Sequence, residues 1–302
     1  MRRLHLPKGD VDIRILQNIE EMEDAVRVQH EAWEGRQNVV PASLLLTLAH
    51  ESGLVLGAYT VDEPRTMVGF VFSFLAQHPV PGREPILKHH SHMLGVLPAW
   101  QGQGLGYWLK RAQWQTVRHR GLELITWTFD PLWGRNARLN IAKLGGIART
   151  YYRNRYGSMN DPLNQGLPTD RLLVEVWVNS KRVLQHMSGE PRKPLDLAHY
   201  LAAGARILNP TRLNEAGWPE PSPQVTYPAR GEGQPVLLVE IPEDWFGLKA
   251  ADIQLAWRWR LHIREVLETL FGLGYIITDF VRLKGKPGRN FYALTWGEAT
   301  LE

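Results

Sequence analysis

The chain has 302 residues, 35 Lys and Arg against 31 Asp and Glu for a formal charge of +4, 44% hydrophobic residues and no cysteine. At roughly 100–200 residues per domain this length predicts two domains, and the balance of apolar and charged residues excludes a disordered chain. The lack of cysteine excludes disulfides, a thiol nucleophile, iron–sulfur clusters and thiolate zinc sites.

The opening residues, Met1-Arg2-Arg3-Leu4, are basic without the apolar run of a signal peptide. The longest apolar stretch, 66–76, falls short of the roughly 20 residues a membrane helix needs. A cytoplasmic protein with no membrane partner is expected. Alternation over 11–16 predicts a strand. Asn18 then caps a helix whose inward face is Ile19, Met22, Val26 and Trp33, and Pro41 opens a second helix over 42–50. Gly53 and Gly57 punctuate a strand over 54–61, and a turn at Asp62-Glu63-Pro64-Arg65 joins it to a strand over 66–76. A loop with Pro79, Pro81, Gly82 and Pro85 precedes a strand over 86–97 that stops at Pro98.

After a glycine-rich turn comes an amphipathic helix with Leu105, Trp108, Leu109, Ala112 and Thr116 on one side, ended by Gly121. Its Lys110, Arg111, Arg118 and Arg120 read as a solvated face or as long-range attraction for a small polyanion. A nucleic-acid partner is not expected, because no dense basic stripe or reading module is present. A strand over 122–129, a helix over 136–144 and a strand over 171–178 complete the block. The order β-α-α-β-β-β-α-β-α-β specifies an α/β chain with a mixed sheet. From Ser188 onward proline and glycine punctuate the chain, which places a domain boundary there and predicts domains over 1–187 and 188–302. The second, smaller α/β domain carries a helix over 195–207, a strand over 236–241, a helix over 251–271, and strands over 275–283 and 290–296.

The stretch Leu94-Gly95-Val96-Leu97-Pro98 followed by Gln101-Gly102-Gln103-Gly104-Leu105-Gly106 is the most informative. Glycines at 102, 104 and 106, between a strand and a helix, let backbone N–H groups turn toward a ligand. They coincide with the unsatisfied N–H groups and positive dipole end of the helix, which together make an anion site. A Rossmann site would need Gly where Tyr107 stands, and a triphosphate loop would need Gly-Lys-Ser/Thr. Neither is present. A turn using glycine for geometry alone is the plain alternative.

The segment resembles the acyl-coenzyme-A loop of the GNAT acetyltransferase superfamily, Q/R-x-x-G-x-G/A, as Gln101-x-x-Gly104-x-Gly106 preceded by Val96-x-Pro98. The resemblance extends over roughly 10–185 through the order of elements. It implies the GNAT acyl-CoA N-acyltransferase fold and acetyl-CoA, or another acyl-CoA, as co-substrate with no metal. It also implies a pantetheine arm bonded to the backbone of Leu94 and Val96, and a pyrophosphate on the amides of Gln101, Gly102, Gln103, Gly104, Leu105 and Gly106. The chemistry would be acyl transfer to a small-molecule or peptide amine, with the backbone at Val96 as oxyanion donor.

His92 lies four residues before Val96, where several members of that superfamily place a carboxylate base, and an imidazole suits proton transfer near neutrality. The alternative is a hydrogen-bonded strand residue. His89, His90 and His92 do not read as a metal site, because neighbours on one strand point to opposite faces. The usual Tyr acid is replaced by Ile141, which leaves Tyr151, Tyr152 and Tyr156 near, with Tyr151 the candidate acid. Asn136 is a cofactor ligand or a helix cap. Asp130 would bind a cationic amine, or serves as a turn residue before proline. Arg149 to Arg155 reads as a substrate-lining loop or a solvated edge strand. The C-terminal strand–helix–strand–strand echoes the first block and reads either as a degenerate second GNAT half or as a generic βαβ unit. Its helix, with Trp257, Trp259, Leu261 and Phe271, is expected to pack on the first domain or on a second copy in a homodimer. The alternative to an enzyme is a non-catalytic acyl-CoA-binding sensor or assembly protein.

Overall fold

A computed structural model describes residues 2–33, 39–159, 161, 163–187, 194–229, 234–285 and 288–297. The chain groups into two compact units, residues 1–127 with 177–179, and residues 128–176 with 180–302.

In the first unit, strands β1 (Arg2–Leu6), β2 (Gly9–Ile15), β3 (Leu54–Thr60), β4 (Met67–Val80), β5 (Arg83–Val96) and β6 (Leu124–Phe129) follow one another across the sheet. Every pair is antiparallel except β5 with β6. Helix α1 (Ile19–Ala32) starts at Asn18, whose side chain accepts from Glu21 N as its sequence predicts. Helix α2 (Ala42–Glu51) follows Pro41. Met22, Ala25, Val28 and Leu45 from these helices meet Val55, Phe70, Phe72 and Met93 of the sheet in one apolar cluster. The buried stripe of α1 is therefore 22-25-28-29, and the expected Ile19 lies 37% exposed. Helix α3 (Leu105–His119) takes the opposite face. A Cβ on Gly69 would meet Leu105 and Leu109 at 3.2–3.3 Å, and residue 69 alternates with Phe70.

The proline-rich stretch around Pro79–Pro85 is not a loop. β4 and β5 run through it as a hairpin closed at Val80↔Arg83, with Gly82 at φ +71°. Pro79 and Pro85 fall where the ladder is interrupted, between the pairs His78↔Ile86 and Val80↔Arg83, so their missing N–H groups cost no ladder bond.

The second unit holds α4 (Gly134–Ala137), which continues into a π-helical segment Arg138–Lys143, then β7 (Ile147–Tyr152) and β8 (Arg171–Trp177). Next come α5 (Lys181–Met187), α6 (Leu197–Ala202), β9 (Arg206–Ile207), β10 (Arg212–Leu213), β11 (Pro219–Glu220) and β12 (Leu237–Ile241). It ends with α7 (Trp245–Ala251), α8 (Ile253–Gly272), β13 (Tyr275–Leu283) and β14 (Arg289–Trp296). Its sheet has the order β8-β7-β13-β14-β12-β9, and β10 pairs with β11 alone. The helix expected over 195–207 is only α6, started by Asp196 accepting from His199 N. The Lys286-Pro287 turn and the Ser188 to Pro191 boundary segment lie outside the described residues.

The expected break at 187/188 is not where the contacts divide. β7 pairs through Ala148 with Ile277 of β13, so residues 128–176 share one sheet with the C-terminal strands. Thr150 to Tyr152 pair with β8 and Ala148 alone pairs with β13, so this part of the 149–155 run is strand and not loop. The hairpins β7–β8 and β13–β14 meet at that pair, and each carries a bulge at the next residue, Arg149 in one and Thr278 in the other. β12 lies beside β14 and not beside β13, whereas β5 pairs directly with the strand that follows its helix. The C-terminal strands thus match β7–β8 in their hairpin, and β12 does not occupy the position of β5.

Candidate functional site

The glycine turn builds an open set of backbone donors. After the 3₁₀ turn Pro98–Trp100, Gly102 and Gly104 take φ +81° and +88°, values that favour glycine. Gly104 is the residue before α3, there is no acidic residue in the first turn, and no side chain caps it. The first helical bonds run from Tyr107 N and Trp108 N to Gly104 O, and among the described residues no backbone bond is donated by the N–H groups from Gly102 to Gly106. Gln101 N, expected in the same set, instead donates to Pro98 O at 3.2 Å. A Cβ on Gly102 or Gly104 would meet nothing within 4 Å, so the space over the turn is open.

Strand β5 brings a second row of donors to the same turn. Leu97 N bonds Val68 O at 3.0 Å, so alternation along an antiparallel ladder turns residues 97 and 95 toward β4, and Val96 and Leu94 away from it. The Val96 carbonyl confirms that direction by accepting from Gln101 Nε2 at 3.0 Å. On this outer edge β6 pairs only at His89↔Ile125 and His90↔Thr126. The two strands fork beyond His90, and the N–H groups of Leu94 and Val96 line the open part. Lys8 braces the turn from the β1–β2 connection, its N donating to Gln103 Oε1 at 2.9 Å and its Nζ to Ala99 O at 3.3 Å. No local pattern marks Lys8, since its partners lie more than 90 positions away.

His92 is the extra residue of a β-bulge. Met93 pairs with Phe72 and Ser91 with Ser73, which leaves His92 without an opposite number. Its exposed imidazole sits 6.0 Å from the Phe72 ring, 5.9 Å from Phe74 and 6.2 Å from His90, on the face shared with α1 and α2. His89 points to the other face, buried, with Nδ1 at 3.0 Å from Ser73 Oγ. Burial, helped by the Arg120 charge, lowers its pKa to about 4. The three histidines therefore divide between faces. Among the described residues no group of three His, Asp or Glu side chains is placed to hold a metal ion.

On α3 the buried stripe includes Lys110, Gln113, Trp114 and Val117, so Lys110 belongs to neither the solvated face nor a phosphate-attracting surface. The signal was available, because Trp114 and Val117 lie four and seven residues beyond Lys110, on the same helical stripe.

The remaining candidates lie in the second unit. Asp130 is not an open cation site: Arg260 Nη1 and Nη2 engage its two oxygens at 2.9 and 2.6 Å, Leu132 N adds a bond at 2.9 Å, and its side chain is 12% exposed. Burial alone would raise this carboxyl, but the Arg260 guanidinium outweighs it and holds the pKa below the usual range. Tyr151 donates to Asp170 Oδ2 at 2.8 Å, and Arg264 closes the same carboxylate with bonds of 2.8 and 2.9 Å. Burial, then the Asp170 charge, pushes the Tyr151 phenol far up, so this hydroxyl holds its proton for Asp170. Asn136 is not the helix cap, a position held by Trp133; it lies inside α4, half-buried, with its N bonded to Trp133 O at 3.0 Å. Tyr156 is 48% exposed and shares a 2.8 Å bond with Thr128 Oγ1.

No family model matches the chain, and no curated relative matches it. Among solved structures, a putative GNAT-family acetyltransferase from Desulfovibrio desulfuricans is 19% identical over 56% of this chain and 99% of its own, with a TM-score of 0.41. The ribosomal-protein-S18-alanine N-acetyltransferase from Escherichia coli is 16% identical over 56% and 94%, with a TM-score of 0.42. Arabidopsis thaliana NAA60 in complex with acetyl-CoA is 11% identical over 56% and 99%, with a TM-score of 0.46. No described helix is long and apolar enough to cross a membrane.

Proposed function

We propose that this chain is a coenzyme-A-dependent N-acyltransferase of the GNAT type, with acetyl-CoA as the first donor to test and an amine as acceptor. The observation that carries the reading is the run of backbone N–H groups from Gly102 to Gly106 that make no backbone bond among the described residues, under open space at Gly102 and Gly104 and next to the Leu94 and Val96 edge of β5. Donors without a competing carboxylate suit a pyrophosphate, which they hold through the helix dipole and main-chain hydrogen bonds. The amides of Leu94 and Val96 suit an extended amide-bearing arm, in the manner of an added strand. With both amides holding the arm, its thioester would lie beyond Leu94 on the Ser91 side, and Val96 N–H would hold the arm and not the oxyanion.

His92, raised out of the strand by its bulge, is the candidate base that removes the proton of the attacking amine. The N–C bond forms first, the C–S bond then breaks, and the departing sulfur takes up the proton that His92 removed from the amine. Tyr151 is a poor source of a proton for the sulfur, since its hydroxyl is held by Asp170. The same observation favours the second reading, an acyl-CoA-binding protein without turnover. Calorimetry with acetyl-CoA followed by thiol release across a panel of amines separates them. Binding with turnover on at least one amine supports the enzyme, binding with none supports the sensor, and failure to bind any coenzyme A species ends both.

A further inference from the structure

Beneath the fork of β5 and β6, on the side of α3, lies a cluster of buried nitrogen groups that acetyl transfer leaves unused. Lys110 is 5% exposed; its Nζ donates to Ser91 Oγ at 2.7 Å and stands 3.5 Å from Gln113 Oε1. The same Nζ lies 3.7 Å from the centre of the Trp127 ring. No carboxylate pairs with it among the described residues, and burial draws its pKa well down while the indole face favours the charge. Gln113 Nε2 and His89 Nε2, both in fully buried side chains, have no hydrogen-bond partner. A buried amine without a counter-charge and buried donors without acceptors are each costly. All of these groups are donors or potential donors, and no described acid accompanies them.

Their position gives the cluster a meaning. The β5–β6 ladder ends at His90↔Thr126, and Lys110 Nζ touches both of the next residues, Ser91 and Trp127. From Val96, opposite Gly69, to Ser91, opposite Ser73, the bulge leaves four ladder steps, about 13 Å at the usual rise of a strand. An arm laid along that edge, with its phosphates on the Gly102–Gly106 turn, brings its acyl end to Ser91.

We propose that Lys110, with Ser91 and Gln113, receives the free carboxylate of a short dicarboxylic acyl group, so that the preferred donor is an ω-carboxyacyl thioester of coenzyme A, of the malonyl or succinyl kind. The inference rests on the coenzyme A reading of the turn and narrows it to a class of acyl group. A carboxylate there supplies the acceptor that Gln113 Nε2 lacks and the counter-charge that Lys110 lacks, through charge-assisted hydrogen bonds.

The test is calorimetry on the full chain with free coenzyme A, butyryl-CoA and succinyl-CoA, the last two alike in chain length and differing in the terminal carboxylate. Wild-type protein is expected to bind succinyl-CoA about 10-fold or more tighter than butyryl-CoA, the scale of a hydrogen bond to a charged group. In Lys110→Met that ratio falls to about one, and in Gln113→Leu, which keeps the amine, it shrinks without vanishing. Succinyl-CoA binding no tighter than butyryl-CoA in the wild type, with free coenzyme A bound, overturns the inference and leaves the cluster as the seat of buried water. If none of the three binds, the coenzyme A reading fails and this inference fails with it. The wild-type comparison decides even if Lys110→Met does not fold.

Discussion

Helices α3 and α8 begin in opposite ways. α3 starts from Gly104 in a left-handed conformation with no acid in its first turn and no side-chain cap. α8 starts from Asp252, whose carboxylate accepts from Leu255 N, and α7 before it starts from Asp244 accepting from Gly247 N. Both α3 and α8 carry the same dipole, but α8 has already spent its positive end on its own side chain. The contrast extends to the two units. The second closes its charges on itself, as in Asp130 with Arg260, Asp170 with Arg264 and Tyr151, and Glu240 with Arg289. The first keeps a row of backbone donors and a bulged histidine turned outward. A polar group with its partner built in contributes to folding, while one left open is available for a ligand.

The sharpest way to break this comparison is to remove one partner of a closed pair. Arg260→Met leaves the buried Asp130 with Arg171, 3.9 Å away, in place of its bidentate partner and is expected to cost about 3 kcal/mol of stability in denaturant unfolding; a loss within experimental error would show that the Arg260 pair is not what holds this carboxylate. At the open turn, Gly104→Asp is expected to weaken acetyl-CoA binding by about 100-fold or more, through charge repulsion and through the strain of a side chain at φ +88°. Gly104→Ala, which carries the same backbone strain without the charge, separates the two causes. Equal losses in both variants would mean that backbone strain and not charge lowers the affinity, and no loss in either would mean that the turn does not hold the cofactor.

His92→Gln is expected to lower kcat for amine acylation by about 100-fold, the usual minimum for a lost general base, with acetyl-CoA affinity retained; unchanged turnover removes His92 from the chemistry. Asp252→Ala is expected to cost about 1 kcal/mol without creating affinity for coenzyme A, since α8 lacks a second row of strand donors.

Acid sharpens the comparison differently, because each unit buries one neutral histidine. His89 and His262 both have their pKa lowered from 6.5 to about 4 by burial. The unfolded chain therefore binds more protons than the folded one between those values. The stability these rings contribute is present in full above pH 6.5 and is lost as pH falls toward 4. His89→Gln should flatten part of that decline and leave the contribution of His262. A stability that stays level from pH 6.5 to 4 would contradict the burial of both rings.

Much of the first unit was legible because its signals are local. Asn18 capping α1, Pro41 before α2, and the glycines preceding α3 each act within a few residues, so their chemistry is visible in the chain order. The misreadings arose where partners come from afar. Pro79 and Pro85 looked like loop residues until the interrupted ladder showed that their missing N–H groups cost nothing. Asp130 read as a binder of a cationic amine, with a turn residue before proline as the alternative, because Arg260 stands 130 positions away. Tyr151 read as a proton donor because neither Asp170 nor Arg264 is adjacent to it. The boundary expected at 187/188 followed composition, which marks surface chain well but carries no information on which strand pairs with β7.

Residue order and type alone were enough for the mixed α/β character, the strand–turn–helix with its outward amides, and the candidacy of His92, since backbone propensity, glycine conformations and side-chain chemistry are short-range properties. Tertiary structure alone decided that His92 sits on a bulge, that Lys110 lies buried at the fork with no acid beside it among the described residues, and that the C-terminal strands share a sheet with β7 and β8. Those outcomes depend on strand register and on burial, both collective consequences of the whole fold.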